Sequence, residues 1–210
     1  MPASVQVGIS IVPYTDELDR NRELVRAADE GGLALVGVQD HPYQRHFFDT
    51  WSLIPTLLAE TKRISLFTDV ANLPLRTPSV MAKAAASLDV LSGGRFELGL
   101  GAGGIPHVIE NFGGPRRTPG EAVEALDEAI DVIRLLWSGE ASVSFEGRYY
   151  GLSDARPGPL PAHPIGIWVG AFKPRMLRLV GRKADGWLPS LGVLSRDELR
   201  AGNEQIDAAA

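Results

Sequence analysis

Short runs rich in Val, Ile and Leu alternate along this chain with longer segments whose apolar residues recur at helical spacing. Runs such as ISLFTDV and IGIWVG have no polar face, which is typical of strands covered on both faces in a parallel sheet. The alternation predicts an α/β fold with right-handed crossovers, either a barrel or a doubly wound sheet. The predicted strands are 5–12, 34–39, 64–70, 95–101, 165–170 and 186–189.

The helices between these strands have readable ends. Thr77 and Pro78 are typical of a helix start, and Gly93 stands where a C-terminal glycine is expected. Thr118 and Glu121 form a predicted capping box. The helix that follows carries an apolar stripe at steps of three and four, made of Val123, Leu126, Ile130, Ile133 and Trp137. Further helices are predicted at 17–31, 51–61, 173–183 and 195–209.

The length favours a single domain over residues 1–210, because 44% of the chain is hydrophobic and 22% is charged. One segment, 139–164, departs from the alternation and is predicted as a hairpin turning at Glu146-Gly147, followed by a Pro-rich excursion. A (β/α)8 barrel takes about 250 residues. If the fold is a barrel, six β/α units use the whole chain and the last two are missing.

Composition excludes several function classes. A net charge of -5 argues against nucleic-acid binding, which needs a basic patch. No apolar run is long enough for a membrane span, and the N-terminus lacks the pattern of an export signal, so we expect a cytoplasmic protein. Because cysteine is absent, disulfides, thiolate metal sites and a cysteine nucleophile are excluded.

Residues 99–104, GLGAGG, formally satisfy the dinucleotide-binding pattern G-x-G-x-x-G. That interpretation requires a helix to start there and an acidic residue about 20 positions later at a strand end, whereas Pro106 follows and Glu124 lies within a predicted helix. A tight turn is the better interpretation. In a barrel this run lies at the carboxyl end of a strand, where active sites are built, and its glycines let backbone approach a flat ring.

Gln39-Asp40-His41 also ends a strand. Asp40 and His41 could form a proton-transfer pair, because an imidazole titrates near neutrality and an adjacent carboxylate biases it. A solvated loop with a capping Asp is the equal alternative. The other histidines, His46, His107 and His163, are interpreted as ordinary loop residues, and their spacing predicts no metal site.

Polar residues also follow the third and fifth predicted strands. Asn72 can donate and accept hydrogen bonds at the edge of a heterocycle, whereas Asp69 is either part of that site or the N-cap of the next turn. The turn 170–174 combines Lys173 with a helix N-terminus that begins at Pro174, which is a possible phosphate site. The alternative is that Lys173 is a surface lysine.

Two blocks of sequence resemble the luciferase-like family of flavin monooxygenases and F420-dependent reductases. Residues 76–85, RTPSVMAKAA, and 88–103, LDVLSGGRFELGLGAG, are similar to the family's long motif. A second match comprises Gly170-Ala171, Pro174, Gly181-Arg182 and 184–187, ADGW. The resemblance covers about residues 5–195.

The resemblance implies a TIM-type (β/α)8 barrel, without its last two units, that is a flavin-dependent oxidoreductase. Hydride would pass through F420 or FMN to or from a small organic substrate, with oxygen activation if the cofactor is FMN. Asp40 and His41 match the catalytic pair, and Asp rather than Glu before His41 favours F420. The implied cofactor-binding residues are Asp69, Val70, Asn72, Gly101, Ala102, Gly103, Gly104, Gly170, Ala171 and Lys173.

Two details accompany this expectation. The family often has a non-prolyl cis peptide that supports the ring, and by alignment it falls at Asp69-Val70. Related F420 reductases usually have glycine where this chain has Phe172 and Lys173, which changes the expected phosphate geometry.

Two other functions and one assembly state also follow from the sequence. A non-catalytic flavin-binding or assembly subunit is the main alternative, and an unrelated TIM-barrel hydrolase ranks last because only Asp40 and Asp69 are carboxylates at strand ends. An open barrel leaves two strand edges unpaired, at 5–12 and 186–189, so we expect a homodimer or a longer parent chain.

Overall fold

A parallel sheet forms the centre of the computed structural model, which describes residues 6–190 and 192–210. The nine strands of the described residues are β1 (Gly8–Ile11), β2 (Leu35–Val38), β3 (Ser65–Thr68), β4 (Ala71–Asn72), β5 (Phe96–Gly101), β6 (Val143–Glu146), β7 (Gly151–Ala155), β8 (Ile167–Gly170) and β9 (Gly186–Leu188). The central strands follow one another in the order β1-β2-β3-β5-β8-β9, the short β4 pairs with β5, and β6 and β7 form a separate antiparallel pair.

The strand order decides between the two predicted α/β architectures. A doubly wound sheet reverses its strand order at a switch point. Here the order along the central sheet never reverses, so the strands curl in one direction as they do in a barrel. The described residues therefore form an open parallel β/α half-barrel.

Seven α-helices accompany the strands in the described part of the chain. The helices that follow successive strands contact one another, α3 with α5, α5 with α6, and α6 with α7. None of the described helices is long and apolar enough to cross a membrane. The helices are α1 (Leu18–Glu30), α2 (Thr50–Glu60), α3 (Pro78–Ser92), α4 (Pro106–Asn111), α5 (Pro119–Leu136), α6 (Pro174–Lys183) and α7 (Arg196–Asp207), with a 3-10 turn at Leu73–Leu75.

Local sequence signals explain the ends of α3 and α5. Pro78 is the first residue of α3, and Gly93 closes it in the left-handed conformation with φ of 72°. Thr118 accepts a hydrogen bond from the backbone N–H of Glu121, whose side chain reaches back to the N-cap backbone. Both predicted ends and the capping box are confirmed. Thr77 occupies the N-cap position of α3 without a side-chain hydrogen bond to the helix.

Burial is greatest in the middle of the sheet. Phe96, Leu98 and Leu100 of β5 are completely buried, as the apolar run predicts. The first strand is more exposed, with only Ile11 fully buried, because β1 pairs with β2 alone among the described residues. The other edge strand, β9, pairs with β8 alone in the same part of the chain.

The structure corrects one predicted strand and adds one helix. The predicted strand 64–70 ends at Thr68, and the short strand β4 begins at Ala71, after a break in the strand at residues 69 and 70. The expected non-prolyl cis peptide at Asp69-Val70 is present in that break. The short helix α4 was not predicted, since six residues beside glycines and a proline carry no helical periodicity. The predicted start of β1 at Val5 lies outside the described residues.

The predicted hairpin at 139–164 is the β6–β7 pair, but its turn spans 147–150. Three consecutive backbone N–H groups, of Arg148, Tyr149 and Tyr150, donate to the Glu128 carboxylate of α5 at 2.9, 2.8 and 3.2 Å. A carboxylate that accepts three N–H groups holds the turn on the helix. The turn position therefore depends on a residue outside the hairpin.

His163 is not the ordinary loop residue that its sequence context suggests. Its Nδ1 lies 2.7 Å from Asp89 Oδ1, and its Nε2 lies 3.1 Å from Glu97 Oε1. Asp89 is completely buried and also accepts the backbone N–H groups of Ala162 and His163. This cluster fixes the end of the Pro-rich excursion near the start of β5, at the opposite end of that strand from its glycines.

Candidate active site

A cavity of about 610 Å³ opens at the carboxyl ends of the parallel strands. Parallel strands present their carboxyl ends, and the loops that follow them, at the same edge of a sheet. The structure therefore brings together all twelve residues that the sequence analysis singled out. The cavity is lined by Ser10, Gln39, Asp40, His41, Tyr43, Asp69, Val70, Ala71, Asn72, Gly101, Ala102, Gly103, Gly104, Ile105, Gly170, Ala171, Phe172, Lys173, Met176, Leu188, Pro189 and Ser190.

The side of the cavity where Val70 lies between the ends of β5 and β8 is called the cavity floor here. A Cβ atom on Gly101 would lie 2.6 Å from Val70 Cγ2, and one on Gly170 would lie 3.2 Å from the same atom. Both positions are close to or below the shortest ordinary carbon contacts. The two glycines thus make room for the Val70 side chain, which leaves a small apolar surface beneath the cavity.

Within the glycine run at the end of β5, Gly103 is required by its backbone conformation as well as by close contacts. Gly103 adopts φ of 87°, and a Cβ atom there would lie 2.6 Å from Pro74 Cγ and 2.7 Å from Ile109 Cδ1. Only glycine adopts this positive φ without strain and leaves room for these two side chains. Gly104 is exposed, and a Cβ atom on it would meet nothing within 4 Å. The tight-turn interpretation is confirmed for Gly103, while Gly104 leaves backbone open to the cavity.

Asn72 has an unsatisfied acceptor in this cavity. Its backbone N–H donates to Asp40 Oδ2 at 3.0 Å, and the residue is 6% exposed. Its side-chain Oδ1 is buried and has no hydrogen-bond partner among the described residues. Since a buried polar atom without a partner costs about 1–3 kcal/mol, this oxygen is suited to a ligand that brings an N–H or O–H group.

Asp40 is buried, so it is not the capping residue of a solvated loop. Burial raises the pKa of its carboxyl, although the N–H of Asn72 acts in the opposite direction. Its Oδ2 accepts that N–H, and no hydrogen bond found within the described residues joins it to the His41 ring. The geometry makes Asp40 a support for the segment that carries Asn72.

His41 is half-buried, and its Nδ1 lies 3.0 Å from the Tyr43 hydroxyl. Burial lowers the pKa of His41, and the negative charge of Asp69 partly opposes this effect. The imidazole is therefore neutral around neutral pH, and the carboxylate that acts on it is Asp69 rather than Asp40.

Asp69 is not the N-cap of the following turn, since Asn72 occupies that position before the 3-10 turn. Its Oδ2 accepts a hydrogen bond of 2.8 Å from Ser10 Oγ of β1. This hydrogen bond connects the segment between β3 and β4 to the first strand. It also keeps the Asp69 charge at the cavity wall beside His41.

The N-terminus of α6 supplies the remaining wall. The first N–H groups of a helix have no partner within the helix, and Lys173 immediately precedes Pro174 at its start. Lys173 is exposed at the cavity rim, whereas Ala171 is buried and its carbonyl accepts the indole N–H of Trp187 at 3.0 Å. A positive side chain beside free N–H groups is suited to an anionic group such as a phosphate.

Sequence reasoning missed several residues of the lining. Ser10 is polar within the apolar run of β1, a signal comparable to the one that identified Asn72. Tyr43 follows His41 by two positions, but nothing in the spacing shows that its hydroxyl turns back to the ring. Within the described residues, no group of three His, Asp or Glu side chains is arranged to hold a metal ion.

Comparisons with known proteins identify the family of the chain. A family model described as luciferase-like monooxygenase matches residues 3–210. An F420-dependent glucose-6-phosphate dehydrogenase of Amycolatopsis mediterranei is 34% identical over 171 residues, which are 79% of this chain and 51% of that protein. The chain spans about half the length of the curated relatives it matches.

Solved structures show the same fold. An F420-dependent tetrahydromethanopterin reductase of Methanopyrus kandleri superposes with a TM-score of 0.84 at 23% identity, over 99% of this chain and 61% of that one. A type II Baeyer-Villiger monooxygenase component from Pseudomonas putida, in complex with FMN, gives a TM-score of 0.76 at 20% identity, over 99% and 64%. The homologues thus use F420 or FMN. The half-barrel, its motifs and the family match together show that the chain belongs to the luciferase-like monooxygenase family.

Proposed function

We propose that this protein is an oxidoreductase that holds F420 or FMN in the cavity and exchanges hydride with a small organic substrate. The observation that carries the proposal is the buried, unpartnered Oδ1 of Asn72, at the floor of a cavity lined by every residue expected to contact the cofactor. An acceptor of this kind fits the N–H edge of a flavin-type ring. Such rings combine a flat apolar body with a few polar edge atoms.

Other features of the cavity fit the same group. The Val70 side chain and the backbone of 101–104 offer a small apolar floor and open backbone, which suit the face of a ring. Lys173 and the N-terminus of α6 suit a phosphate on the cofactor's side chain. The side chain of Asn72 would bind the polar edge of the ring. These are three separate contacts to three chemically different parts of one molecule.

When bound, F420 or FMN supplies a ring atom that takes up or releases hydride, and the protein supplies position and polarity. His41 lies at the cavity wall with a neutral ring, where it can handle the proton at a substrate oxygen. F420 is favoured over FMN by Asp40 before His41 and by the F420-dependent relative at 34% identity. Asp69 stabilises a positive charge on His41 if the ring becomes protonated.

The substitution His41→Ala tests this function. We expect the affinity for the cofactor to change by less than a few-fold, while turnover falls about 10²- to 10⁴-fold, the usual contribution of a general acid or base. The measurement is cofactor reduction or oxidation with a panel of small alcohols, carbonyl compounds and sugar phosphates. His46→Ala is the matched control, because His46 is exposed on the same loop and does not line the cavity.

Two outcomes contradict the catalytic role. Turnover that survives His41→Ala removes His41 from the chemistry. A wild-type chain that binds cofactor but turns over none of the panel supports the alternative of a non-catalytic flavin-binding subunit.

A further inference from the structure

Tyr43 contacts the ring of His41 in the loop after β2. The hydroxyl lies 3.0 Å from His41 Nδ1, and the two ring centroids are 5.6 Å apart. Phe47 also packs near His41, with its ring centroid 6.2 Å away and tilted by 45°. The imidazole therefore packs against two aromatic rings, and its Nδ1 is occupied. Among the described residues, nothing forms a hydrogen bond with its Nε2.

A neutral imidazole has one N–H donor and one bare nitrogen acceptor, so the partner of one nitrogen decides the role of the other. If Nδ1 carried the proton, the Tyr43 oxygen would accept it and the Tyr43 O–H would need a separate acceptor. No second partner of the Tyr43 oxygen exists among the described residues. If instead the O–H donates to bare Nδ1, both groups are satisfied by the one contact.

We propose that Tyr43 fixes His41 as a hydrogen-bond donor: its hydroxyl donates to Nδ1, so the neutral ring carries its proton on Nε2, toward the substrate. Tyr43 is thus a positioning residue that acts through His41. The inference rests on the proposed function, since it takes the cavity beside His41 as the substrate site. A neutral imidazole that donates from Nε2 polarises a carbonyl oxygen, a role that other TIM-barrel enzymes use.

The charges around the pair are consistent with this state. Burial lowers the pKa of His41, and Asp69 is the one charged group that opposes it appreciably. Burial, together with the negative charge of Asp40, raises the pKa of Tyr43, so its hydroxyl keeps its proton at neutral pH. Both partners are therefore neutral, so the hydrogen in their contact is either the Nδ1–H of His41 or the O–H of Tyr43.

The proposal identifies the chemical class of the substrate group that faces His41. An Nε2–H donor binds an oxygen that accepts a hydrogen bond, such as the carbonyl oxygen of a ketone, an aldehyde or an imide-like group. An alcohol oxygen can accept the same Nε2–H, but the alcohol O–H finds no acceptor on His41, because Nε2 has no free lone pair in this tautomer. We therefore expect carbonyl compounds to bind this wall of the cavity better than their alcohols.

Nitrogen NMR of the cofactor-free chain tests the tautomer directly. The four histidines are labelled with ¹⁵N, and His41 is assigned from the signals lost in His41→Gln. At a pH where the ring is neutral, we expect a one-bond N–H coupling at Nε2 and a bare, hydrogen-bonded Nδ1. In Tyr43→Phe the Nδ1 signal should shift, because its donor is gone. A proton on Nδ1 in the wild type, or an unchanged Nδ1 signal in Tyr43→Phe, overturns the proposal.

Tyr14→Phe is the matched control for these spectra. Tyr14 packs edge-on against Phe47, in the same aromatic cluster, but its hydroxyl makes no contact with His41 among the described residues. Its loss should leave the His41 signals unchanged. If Tyr43→Phe fails to fold, the wild-type N–H coupling still decides which nitrogen carries the proton.

Steady-state kinetics are a second measurement, and they separate the role of Tyr43 from the proposed function of the protein. With a carbonyl substrate, Tyr43→Phe should lower kcat about three- to tenfold, the worth of one net hydrogen bond, and should leave cofactor affinity unchanged. The pKa of His41 should also rise in Tyr43→Phe, because the O–H that stabilises the neutral ring is gone, so the pH profile of kcat should shift toward higher pH. If no cofactor binds to the wild type, the proposed function fails, whereas the NMR result still decides the role of Tyr43.

Discussion

Individual polar groups in this protein are satisfied by partners that are distant in the sequence. His163 depends on Asp89 and Glu97, which lie 74 and 66 positions before it. Asp40 meets the backbone of Asn72 across 32 positions. A carboxylate or an imidazole with such partners has a pKa that no local sequence pattern can indicate. The pH dependence of these groups therefore follows from the structure and not from the local sequence.

His163 makes stability depend on pH. Burial alone would lower the pKa of His163, but the hydrogen bonds to Glu97 and Asp89 and their charges raise it above its ordinary value of 6.5. The folded chain thus binds this proton more tightly than the unfolded chain. Its contribution to stability is fully present below about pH 6.5 and is lost as pH rises through the higher folded value.

We therefore expect the free energy of unfolding to fall between pH 6.5 and the folded pKa of His163 in the wild type, and to fall less in His163→Gln. Urea denaturation over a pH series gives this difference. Taking the difference between the two proteins cancels the opposite contribution of His41, whose pKa burial lowers. Parallel pH curves for the two proteins would contradict the assignment.

The same residues show what local sequence could and could not predict. Asn72 stood out because a polar side chain at the end of a buried run is unusual, and the structure brings it to the cavity. His163 gave no such signal, since it lies among prolines in an irregular segment. The contact between Tyr43 and His41 depends on the loop conformation, which residue spacing does not determine.

Elements with strong end signals were predicted well. Pro78 and Gly93 bound α3 because each restricts the backbone in a way that few other residues do. The apolar run 64–70 was predicted as one strand, although the strand is interrupted at residues 69 and 70, where Val70 lines the cavity. Residues on both sides of the interruption are mostly apolar, so the hydropathy pattern does not predict where the strand ends. The short α4 was missed for lack of a full amphipathic period.

The stability of the β6–β7 hairpin is predicted to depend on Glu128 of α5. Glu128→Ala removes the carboxylate that accepts the N–H groups of Arg148, Tyr149 and Tyr150. Because three donors lose their partner in a partly solvated turn, we expect a loss of about 1–3 kcal/mol in the local stability of the hairpin. Hydrogen exchange of amides 148–150 should become faster, while the amides of β5 keep their protection.

Glu146→Ala is the control for this prediction. Glu146 lies in β6 with an exposed side chain that forms no hydrogen bond among the described residues. Equal effects of the two substitutions would mean that Glu128 does not hold the turn. An effect of Glu128→Ala that spreads to β5 would mean that the hairpin is part of the main folding unit.

At the scale of the whole molecule, the sheet has two open edges within the described residues. β1 and β9 each pair on one side only. An open strand edge offers unpaired N–H and C=O groups to another chain. We propose that a second copy of the chain covers such an edge, as the sequence analysis expects.

Val7→Lys tests this assembly. Val7 is 59% exposed immediately before β1, and a lysine at a strand edge opposes pairing with another edge. We expect sedimentation velocity to show a dimer for the wild type and a shift toward monomer for Val7→Lys. Leu91→Lys, at a position 83% exposed on α3, should leave the dimer intact. A wild type that sediments as a monomer at all concentrations contradicts the proposal.

The architecture was predictable because every β/α unit repeats the same hydrophobic pattern, and the motif over 88–103 carries the family resemblance. The strand order selected the barrel over the doubly wound sheet, a choice that periodicity alone left open. The twelve predicted residues lie around one cavity because the carboxyl ends of parallel strands share one edge of the sheet, and the curl of the sheet brings the ends of distant strands closer together.

The most direct test of the proposed function is an equilibrium titration of the wild-type chain with F420 and with FMN, followed by absorbance and fluorescence. We expect saturable binding with one cofactor per chain, tighter for F420, and about tenfold weaker binding in Asn72→Ala, where the buried acceptor is lost. A folded chain that binds neither cofactor, or that binds equally well without the Asn72 amide, would contradict the proposed function.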